Sequence, residues 1–250
     1  MQRPRTQSPV IAPDLVVPIV EDDTEEAPWM VMGDAQFWAA AHLATSLHHY
    51  AQVHDRPWYV ASLLPIVYRR RREKRTRQVA PDVLVAFVPQ RTRDSYDLAA
   101  EGVFPAFVLE VVSSSSVARD VDAKRRLYEA LGAQEYVLFA PEPGLLEPQP
   151  GLLEPRLQGH RRGAAGRFEP WAPDAAGRLW SDILELWLVP EGSLLRAVQA
   201  DGQPLLTYEE SEAARQQAEA AREQEAAARQ RAEEELARVR ALLEQEKHED

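Results

Sequence analysis

The chain has 250 residues, of which 45% are hydrophobic, and this is enough for the core of one globular domain of ordinary size with appendages. It has no cysteine, which excludes a disulfide framework, thiolate catalysis and cysteine metal sites and fits a reducing, cytoplasmic compartment. The net charge of −11 argues against a generic polyanion-binding protein. From Thr207 onward, however, 13 acidic and 7 basic side chains contribute −6 of that charge, so the preceding residues can still present a basic face. No apolar run approaches the roughly 18 residues that span a bilayer, so we expect no membrane partner.

The first 33 residues predict a flexible or extended arm, because prolines interrupt their short apolar pieces and no signal-peptide core is present. A helix is predicted from about Asp34 to His54, with Asp34 as its N-cap. His42 and His49 are seven residues apart and share a face of this helix. A metal-binding pair usually has a spacing of four, so ordinary surface or packing histidines are favoured over a metal site.

A basic run, Arg69 to Arg77, follows two predicted strands, Trp58–Val60 and Leu63–Tyr68. It includes four consecutive arginines: Arg69, Arg70, Arg71 and Arg72. Two interpretations remain open, a solvated hairpin tip and a loop that contacts nucleic-acid phosphates at the mouth of a site.

The stretch from Ala80 to Pro141 contains three apolar strand-like runs and one helix-like run, and ionisable residues lie where a core should be apolar. Glu110 interrupts a Val-rich run that is typical of a strand buried on both faces. Asp82 opens an earlier run of the same kind. Two carboxylates at the ends of adjacent strands repel each other, so one must bind a proton or the pair must bind a cation.

The helix-like run covers residues 119 to 131, with Asp120 as its predicted N-cap and Gly132 as its predicted stop. On a helix, Lys124 falls on the stripe that also holds Val121, Tyr128 and Leu131. A lysine that faces the core shortly after a strand with an inward carboxylate predicts a site made of two acids and a base.

The order of a strand with Asp82, a strand with Glu110 and a helix with Lys124 resembles the PD-(D/E)XK nuclease superfamily, and most closely its Uma-two branch of restriction endonucleases. The resemblance covers residues 34 to 207 in outline. The matching residues are Pro81-Asp82-Val83, Leu109-Glu110-Val111-Val112-Ser113, Asp120, Lys124, Tyr128, Gly132 and Glu135-Tyr136. It implies an α/β fold with a restriction-endonuclease-like core, in which helices flank a mixed sheet.

The resemblance also implies a function, the magnesium- or manganese-dependent hydrolysis of phosphodiester bonds in a nucleic acid, with DNA favoured. Asp82 and Glu110 would hold the metal ion. Lys124 would orient the attacking water and offset charge on the phosphoryl group. Tyr128 and His42 are the expected supporting residues.

Two positions depart from the family pattern. The superfamily's usual lysine stands two residues after the glutamate, where this chain has Val112. The Uma-two branch supplies the lysine from the following helix, and Lys124 fits that arrangement. The strand after the helix often ends in Asp-Pro in this branch, but here it ends in Ala140-Pro141, so any role of that aspartate is absent.

Other interpretations of the same residues stay open. Asp82 after Pro81 is also compatible with a turn, and Glu110 with Lys124 is compatible with a structural ion pair. The rival function is a non-catalytic protein of nuclease fold that assembles on a nucleic-acid or protein partner. A glycosidase-type carboxylate pair is a poor alternative because it leaves Lys124 without a role.

The C-terminal part changes composition at about Tyr208, where alanine, glutamate, glutamine and arginine begin to dominate. Before it, Asp201-Gly202 predicts a hairpin between Leu194–Val198 and Pro204–Tyr208. Residues 208–250 predict one long helix with a mostly alanine heptad seam, either a coiled-coil arm that makes a homo-oligomer or a solvated single helix. The predicted organisation is an arm at 1–33, a domain at 34–207 and this helix.

Overall fold

The computed structural model describes residues 33–69, 75–146 and 155–249. The chain divides into two compact units, Met1–Leu205 and Leu206–Asp250. Within the described ranges, no helix combines the length and the apolar character needed to cross a membrane.

The first unit contains both strands and helices. Its helices are α1 (Asp34–Val53), α2 (Leu98–Glu101), a π-helix (Arg119–Lys124) and α3 (Arg125–Leu131). Its strands are β1 (Tyr59–Ala61), β2 (Ile66–Arg69), β3 (Thr76–Val79), β4 (Val83–Ala86), β5 (Tyr96–Asp97), β6 (Phe107–Val111), β7 (Glu135–Phe139), β8 (Leu157–Arg162), β9 (Phe168–Trp171), β10 (Leu179–Ser181), β11 (Leu186–Glu191) and β12 (Leu194–Val198). The second unit is one helix, α4 (Tyr208–Glu249), which begins at the predicted residue.

A six-stranded sheet in the order β1-β4-β6-β7-β8-β9 forms the centre of the first unit. Its neighbouring strands run antiparallel except β6 and β7, which are parallel. Parallel neighbours need a crossover, and the π-helix and α3 supply it. The predicted α/β fold with a mixed sheet, flanking helices and a long C-terminal helix is confirmed.

The two faces of this sheet bury different sets of side chains because alternate residues of each strand point to opposite sides. One face packs against α1 and the small sheet β10-β11-β12. The other packs against α3 and the small sheet β3-β2-β5. All five residues of β6 are buried, which confirms the prediction that this strand is covered on both faces.

The crossover helix begins before the predicted point. Asp120 was expected to be the N-cap, but the helical backbone already includes Ala118, and the Asp120 N–H donates to the Ser116 carbonyl at 3.0 Å. The expectation is wrong because the turn formed by Ser113–Ser116 starts the helix, which leaves Asp120 inside it with a buried side chain. Gly132 ends the helix as predicted, with a φ of 108° that favours glycine.

Three further local predictions differ from the structure. The N-cap of α1 is Gly33, because the Gln36 side chain accepts from the Gly33 N–H, and Asp34 lies in the first turn. The polar composition of the stretch from Gln90 to Glu101 predicts a loop, but the structure has β5 and α2 there. Tyr96 anchors this stretch, since its ring is buried and its hydroxyl donates to the Val103 carbonyl at 2.7 Å.

The third local prediction that differs from the structure is the hairpin expected around Asp201-Gly202. It is reduced to β12 and a single bridge from Val198 to Pro204, because the chain enters α4 at Tyr208.

Candidate active site

Strand pairing places Asp82 and Glu110 side by side. In the antiparallel pair of β4 and β6, Val83 is the partner of Leu109, and Asp82 directly precedes β4. Continuing this register by one residue brings Asp82 opposite Glu110. Both side chains fall on the face that packs against α3, because Leu84 belongs to that core and the intervening Val83 belongs to the other.

Asp82 is tied to the sheet through its side chain. Its Oδ2 accepts a hydrogen bond from the Val111 N–H at 2.6 Å, and the Ser62 hydroxyl donates to its backbone carbonyl at 2.7 Å. A residue of a simple turn would bond to its own neighbours, whereas this contact crosses to β6. Asp82 is 9% exposed and Glu110 only 1%, so the solvent-facing side of this pair is at Asp82.

Lys124 reaches the same point from the π-helix. Its Nζ lies 3.1 Å from Glu110 Oε2 and 3.4 Å from Asp120 Oδ1. All three side chains are buried. The structure therefore brings together Asp82, Glu110 and Lys124, which the sequence singled out, and adds a third acid, Asp120.

Two buried tyrosines complete the cluster. The Tyr128 hydroxyl donates to Glu110 Oε1 at 2.6 Å, so both carboxylate oxygens of Glu110 have a partner within the protein. The Tyr136 hydroxyl, which comes from β7, donates to the backbone carbonyl of Asp120 at 2.7 Å. The two rings contact each other with their centroids 5.2 Å apart.

The electrostatic balance of the cluster disfavours a fully ionised state. Burial, above all, raises the pKa of Glu110 well above its ordinary value of 4.5; the neighbouring Asp82 and Asp120 add to the increase, and Lys124 and the Tyr128 hydrogen bond oppose it. Two of these carboxylates, Glu110 and Asp120, share the buried ammonium group of Lys124, and the half-buried Arg119 is at the limit of ion-pair distance, 4.0 Å from Asp120. A neighbouring positive charge therefore stabilises the ionised form of Glu110.

Asp82 and Glu110 are the residues of this cluster that could hold a hard metal ion. In the described part of the chain, no group of three or more histidine, aspartate or glutamate side chains is arranged to bind a metal. Magnesium binds through one or two carboxylates, and it completes its shell with waters and substrate phosphates. Each carboxylate oxygen has a second lone pair, so the oxygens of Glu110 that contact Lys124 and Tyr128 keep acceptor capacity for a cation.

Two of the other predicted site residues, His42 and Arg69, lie on elements that do not form the cluster. His42 is half-buried on α1. The next residue, Leu43, belongs to the core on the face of the sheet opposite α3, and successive side chains of a helix point about 100° apart. Arg69 ends β2 with an exposed side chain, and its pairing with Thr76 shows that the basic run joins two antiparallel strands. Arg70, Arg71 and Arg72 lie outside the described residues.

Gln36 is a residue near the site that sequence reasoning missed. Its side-chain amide donates to the Val111 carbonyl at 2.8 Å, and the N–H of the same Val111 holds Asp82. No local pattern could have indicated this contact, because 75 residues separate the partners. Asp120 did carry a signal, since it stands four residues before Lys124.

Comparison with known proteins identifies the family of this chain. The family model Uma2, described as "Putative restriction endonuclease", matches residues 27–151, which is half of the chain and includes the cluster. No curated protein matches the sequence. The crystal structure of a "putative nuclease belonging to DUF820 from Anabaena variabilis ATCC 29413" is similar at a TM-score of 0.44 and 13% identity, and the likeness covers 66% of this chain and 82% of that one. On the strength of the family match, the chain belongs to the Uma2 (Uma-two) family of nucleases of the restriction-endonuclease type.

Proposed function

We propose that this protein is a magnesium-dependent endonuclease that hydrolyses phosphodiester bonds in nucleic acid, with DNA as the favoured substrate. The observation that carries the proposal is the convergence of Asp82, Glu110 and Lys124 at one end of the β4–β6 pair, from three separate elements. Family membership supports the substrate class.

In this proposal Asp82 and Glu110 hold the metal ion, and Asp82 presents it to solvent because it is the more exposed of the two. When bound, magnesium would polarise a phosphoryl oxygen and lower the pKa of a water molecule. Manganese, with the same preference for oxygen ligands, would substitute for it.

Lys124 supplies the positive charge of the protein itself. Its ammonium group has three donors and no acceptor, so it can donate to the attacking water or to a phosphoryl oxygen while it stays paired with Glu110 and Asp120. Tyr128 fixes the orientation of Glu110 through the 2.6 Å hydrogen bond to Oε1. These residues would be in place before substrate binds, because all of them are buried.

One observation favours the rival, non-catalytic function. Both oxygens of Glu110 already have partners within the protein, as they would in a purely structural ion pair. In that case the fold would serve as a module for nucleic-acid or protein assembly, and the basic run and the C-terminal helix would provide its contacts.

A cleavage assay separates the two functions. The full-length protein is incubated with supercoiled plasmid DNA, and separately with single-stranded RNA, in magnesium, in manganese and in EDTA. We expect cleavage that requires the metal ion and that Asp82→Asn and Glu110→Gln each reduce by at least about 100-fold, as expected when a group that stabilises transition-state charge is removed. Asp122→Asn is the matched control, since Asp122 is a half-exposed acid of the same π-helix, paired with Arg126.

The outcome that contradicts the proposal is also defined. Cleavage that survives in both variants, or a wild-type protein that cleaves neither substrate in any metal, assigns the cluster to structure. Cleavage of RNA alone would keep the activity and correct the favoured substrate.

A further inference from the structure

The helix that carries Lys124 has an unusual backbone at that point. Arg119–Lys124 forms a π-helix, and the chain returns to an α-helix at Arg125. A π-helix has wider turns than an α-helix, and such segments occur mostly as single turns inside α-helices and are frequent at functional sites. The segment holds both Asp120 and Lys124, so its geometry determines how these two side chains face the sheet.

Asp120 provides the Lys124 ammonium group with a second carboxylate besides Glu110. The Lys124 Nζ is 3.4 Å from Asp120 Oδ1, which is an ion-pair distance rather than that of a short hydrogen bond, and 3.1 Å from Glu110 Oε2. Lysine has a flexible side chain with a large rotamer entropy, so one carboxylate leaves its position weakly determined. A second buried carboxylate from the same helix restricts it.

Tyr136 attaches the π-helix to the sheet. Its hydroxyl donates to the Asp120 carbonyl at 2.7 Å, and its ring is fully buried between strand β7 and the helix. The contact crosses from a rigid central strand to the residue that faces Lys124. Neither the hydroxyl of Tyr136 nor the carboxylate of Asp120 has a role in the chemistry proposed above.

We propose that Asp120 and Tyr136 are positioning residues, which hold Lys124 at the candidate active site through the π-helix. The effect of these residues on catalysis rests on the proposed function, whereas their effect on the position of Lys124 does not. Tyr136 fixes the backbone of Asp120, and Asp120 in turn limits where the ammonium group can lie. The assignment predicts that both residues act through Lys124 and through no other group.

Kinetic measurements on the full-length enzyme test the catalytic part. Asp120→Asn should lower kcat for plasmid cleavage by about tenfold, since small displacements of a catalytic group have effects of this size or larger, and should leave KM within about twofold. In a Lys124→Ala background, Asp120→Asn should have no further effect, because the group it positions is gone. Asp122→Asn, which removes the same charge from the same segment, should change neither constant.

Tyr136→Phe has a close control in this chain. Tyr96 is also fully buried in the same core and also donates its hydroxyl to a backbone carbonyl at 2.7 Å, but its acceptor is Val103. Tyr136→Phe and Tyr96→Phe therefore remove equivalent hydrogen bonds. We expect a lower kcat only for Tyr136→Phe.

A second readout does not depend on activity. The chain has three lysines, Lys74, Lys124 and Lys247, so acetylation of each can be followed by mass spectrometry in one sample. In metal-free buffer, Tyr136→Phe and Asp120→Asn should raise the acetylation rate of Lys124 severalfold relative to the other two lysines. Tyr96→Phe and Asp122→Asn should leave this ratio at the wild-type value.

These outcomes distinguish the inference from the proposed function. If the wild-type protein cleaves nothing while the Lys124 ratio rises as stated, the nuclease proposal fails and the positioning of Lys124 stands. If the ratio is unchanged in both variants, or if Asp120→Asn lowers kcat equally with and without Lys124, the inference is overturned whatever the activity of the wild type.

Discussion

Lys124 Nζ lies 3.1 Å from Glu110 Oε2, and the same ammonium group faces a second acid, Asp120, at 3.4 Å. Asp82 adds a third carboxylate next to Glu110. The buried lysine therefore contacts two acids, which is a different situation from an isolated ion pair. Removal of the lysine and removal of one of these acids should consequently change the stability by different amounts.

Lys124→Met should destabilise the metal-free protein by about 3–5 kcal/mol, because it leaves buried carboxylates without their cation. Glu110→Gln should cost much less, about 1 kcal/mol, since Lys124 keeps Asp120 as a partner and one repelling charge is lost. Urea unfolding in EDTA measures both losses. Equal losses for the two variants would indicate an isolated structural pair.

Magnesium should raise the thermal stability of the wild-type protein, because a ligand that binds only the folded state stabilises it. The gain is about 2.7 kcal/mol at a concentration 100 times Kd. Asp82→Asn should abolish the increase in Tm, and Asp122→Asn should retain it. Differential scanning calorimetry with and without magnesium measures the shift, and a wild-type Tm that magnesium leaves unchanged would contradict a metal site at Asp82 and Glu110.

His160 should make the stability depend on pH. Its ring is buried beside Tyr136 and Phe168, and burial lowers its pKa from 6.5 to about 4, with a further decrease from Arg125 and an opposing effect of Glu129. Between pH 6.5 and 4 the unfolded chain binds a proton that the folded chain does not. This contribution to stability is therefore complete above pH 6.5 and is lost as the pH falls toward 4, at up to about 1.4 kcal/mol per pH unit.

Unfolding free energies measured between pH 7 and pH 4 test this expectation. His160→Gln should flatten the slope, and His54→Gln, at an exposed position after α1, serves as the control. The same slope in His160→Gln and in the control would show that another group causes the pH dependence.

Removal of α4 should leave a folded first unit. The side chains of α4 from Ala213 through Arg238 are exposed, and ion pairs such as Arg215 with Glu219 lie along its own surface. Truncation after Tyr208 should therefore give a protein that melts cooperatively and has a lower oligomeric state by light scattering, because the alanine seam is removed. An unfolded product would contradict the boundary, and an unchanged number of subunits would exclude the coiled coil.

The basic run should contribute to nucleic-acid affinity. Replacement of Arg69, Arg70, Arg71 and Arg72 by serine should weaken binding and reduce the slope of log K against log salt, since fewer counterions are released. Binding is measured by fluorescence anisotropy in calcium, so that cleavage does not interfere. Equal slopes for the two proteins would leave the run as a solvated hairpin tip.

Local sequence patterns predicted the elements that depend on nearby residues. The Val-rich run around Glu110 is a strand buried on both faces, Gly132 ends the crossover helix, and α4 begins at Tyr208. Alternation along a strand and the left-handed φ of a helix-ending glycine are properties of a few consecutive residues, so they can be inferred without the fold. The lysine's inward direction followed from helical periodicity in the same way.

Contacts between distant residues could not be inferred from those patterns. Asp120 has the local signature of an N-cap, but the turn at Ser113–Ser116 begins the helix earlier and the aspartate is buried within it. The bond from Gln36 to Val111 joins residues 75 positions apart. Each of these contacts depends on which elements pack against each other. The preference of an aspartate for the N-cap position is worth only about 1 kcal/mol, so packing can override it.

The sequence by itself determined that Glu110 and Lys124 would be buried, because they stand inside apolar strand and helix patterns that must form a core. Only the tertiary structure decided that Asp82 lies beside Glu110, that Lys124 meets both Glu110 and Asp120, and that Tyr136 holds the helix in place. Burial follows from the solvent preference of a short segment, whereas the meeting of charged groups depends on strand register and on the π-helical backbone, which long-range packing selects.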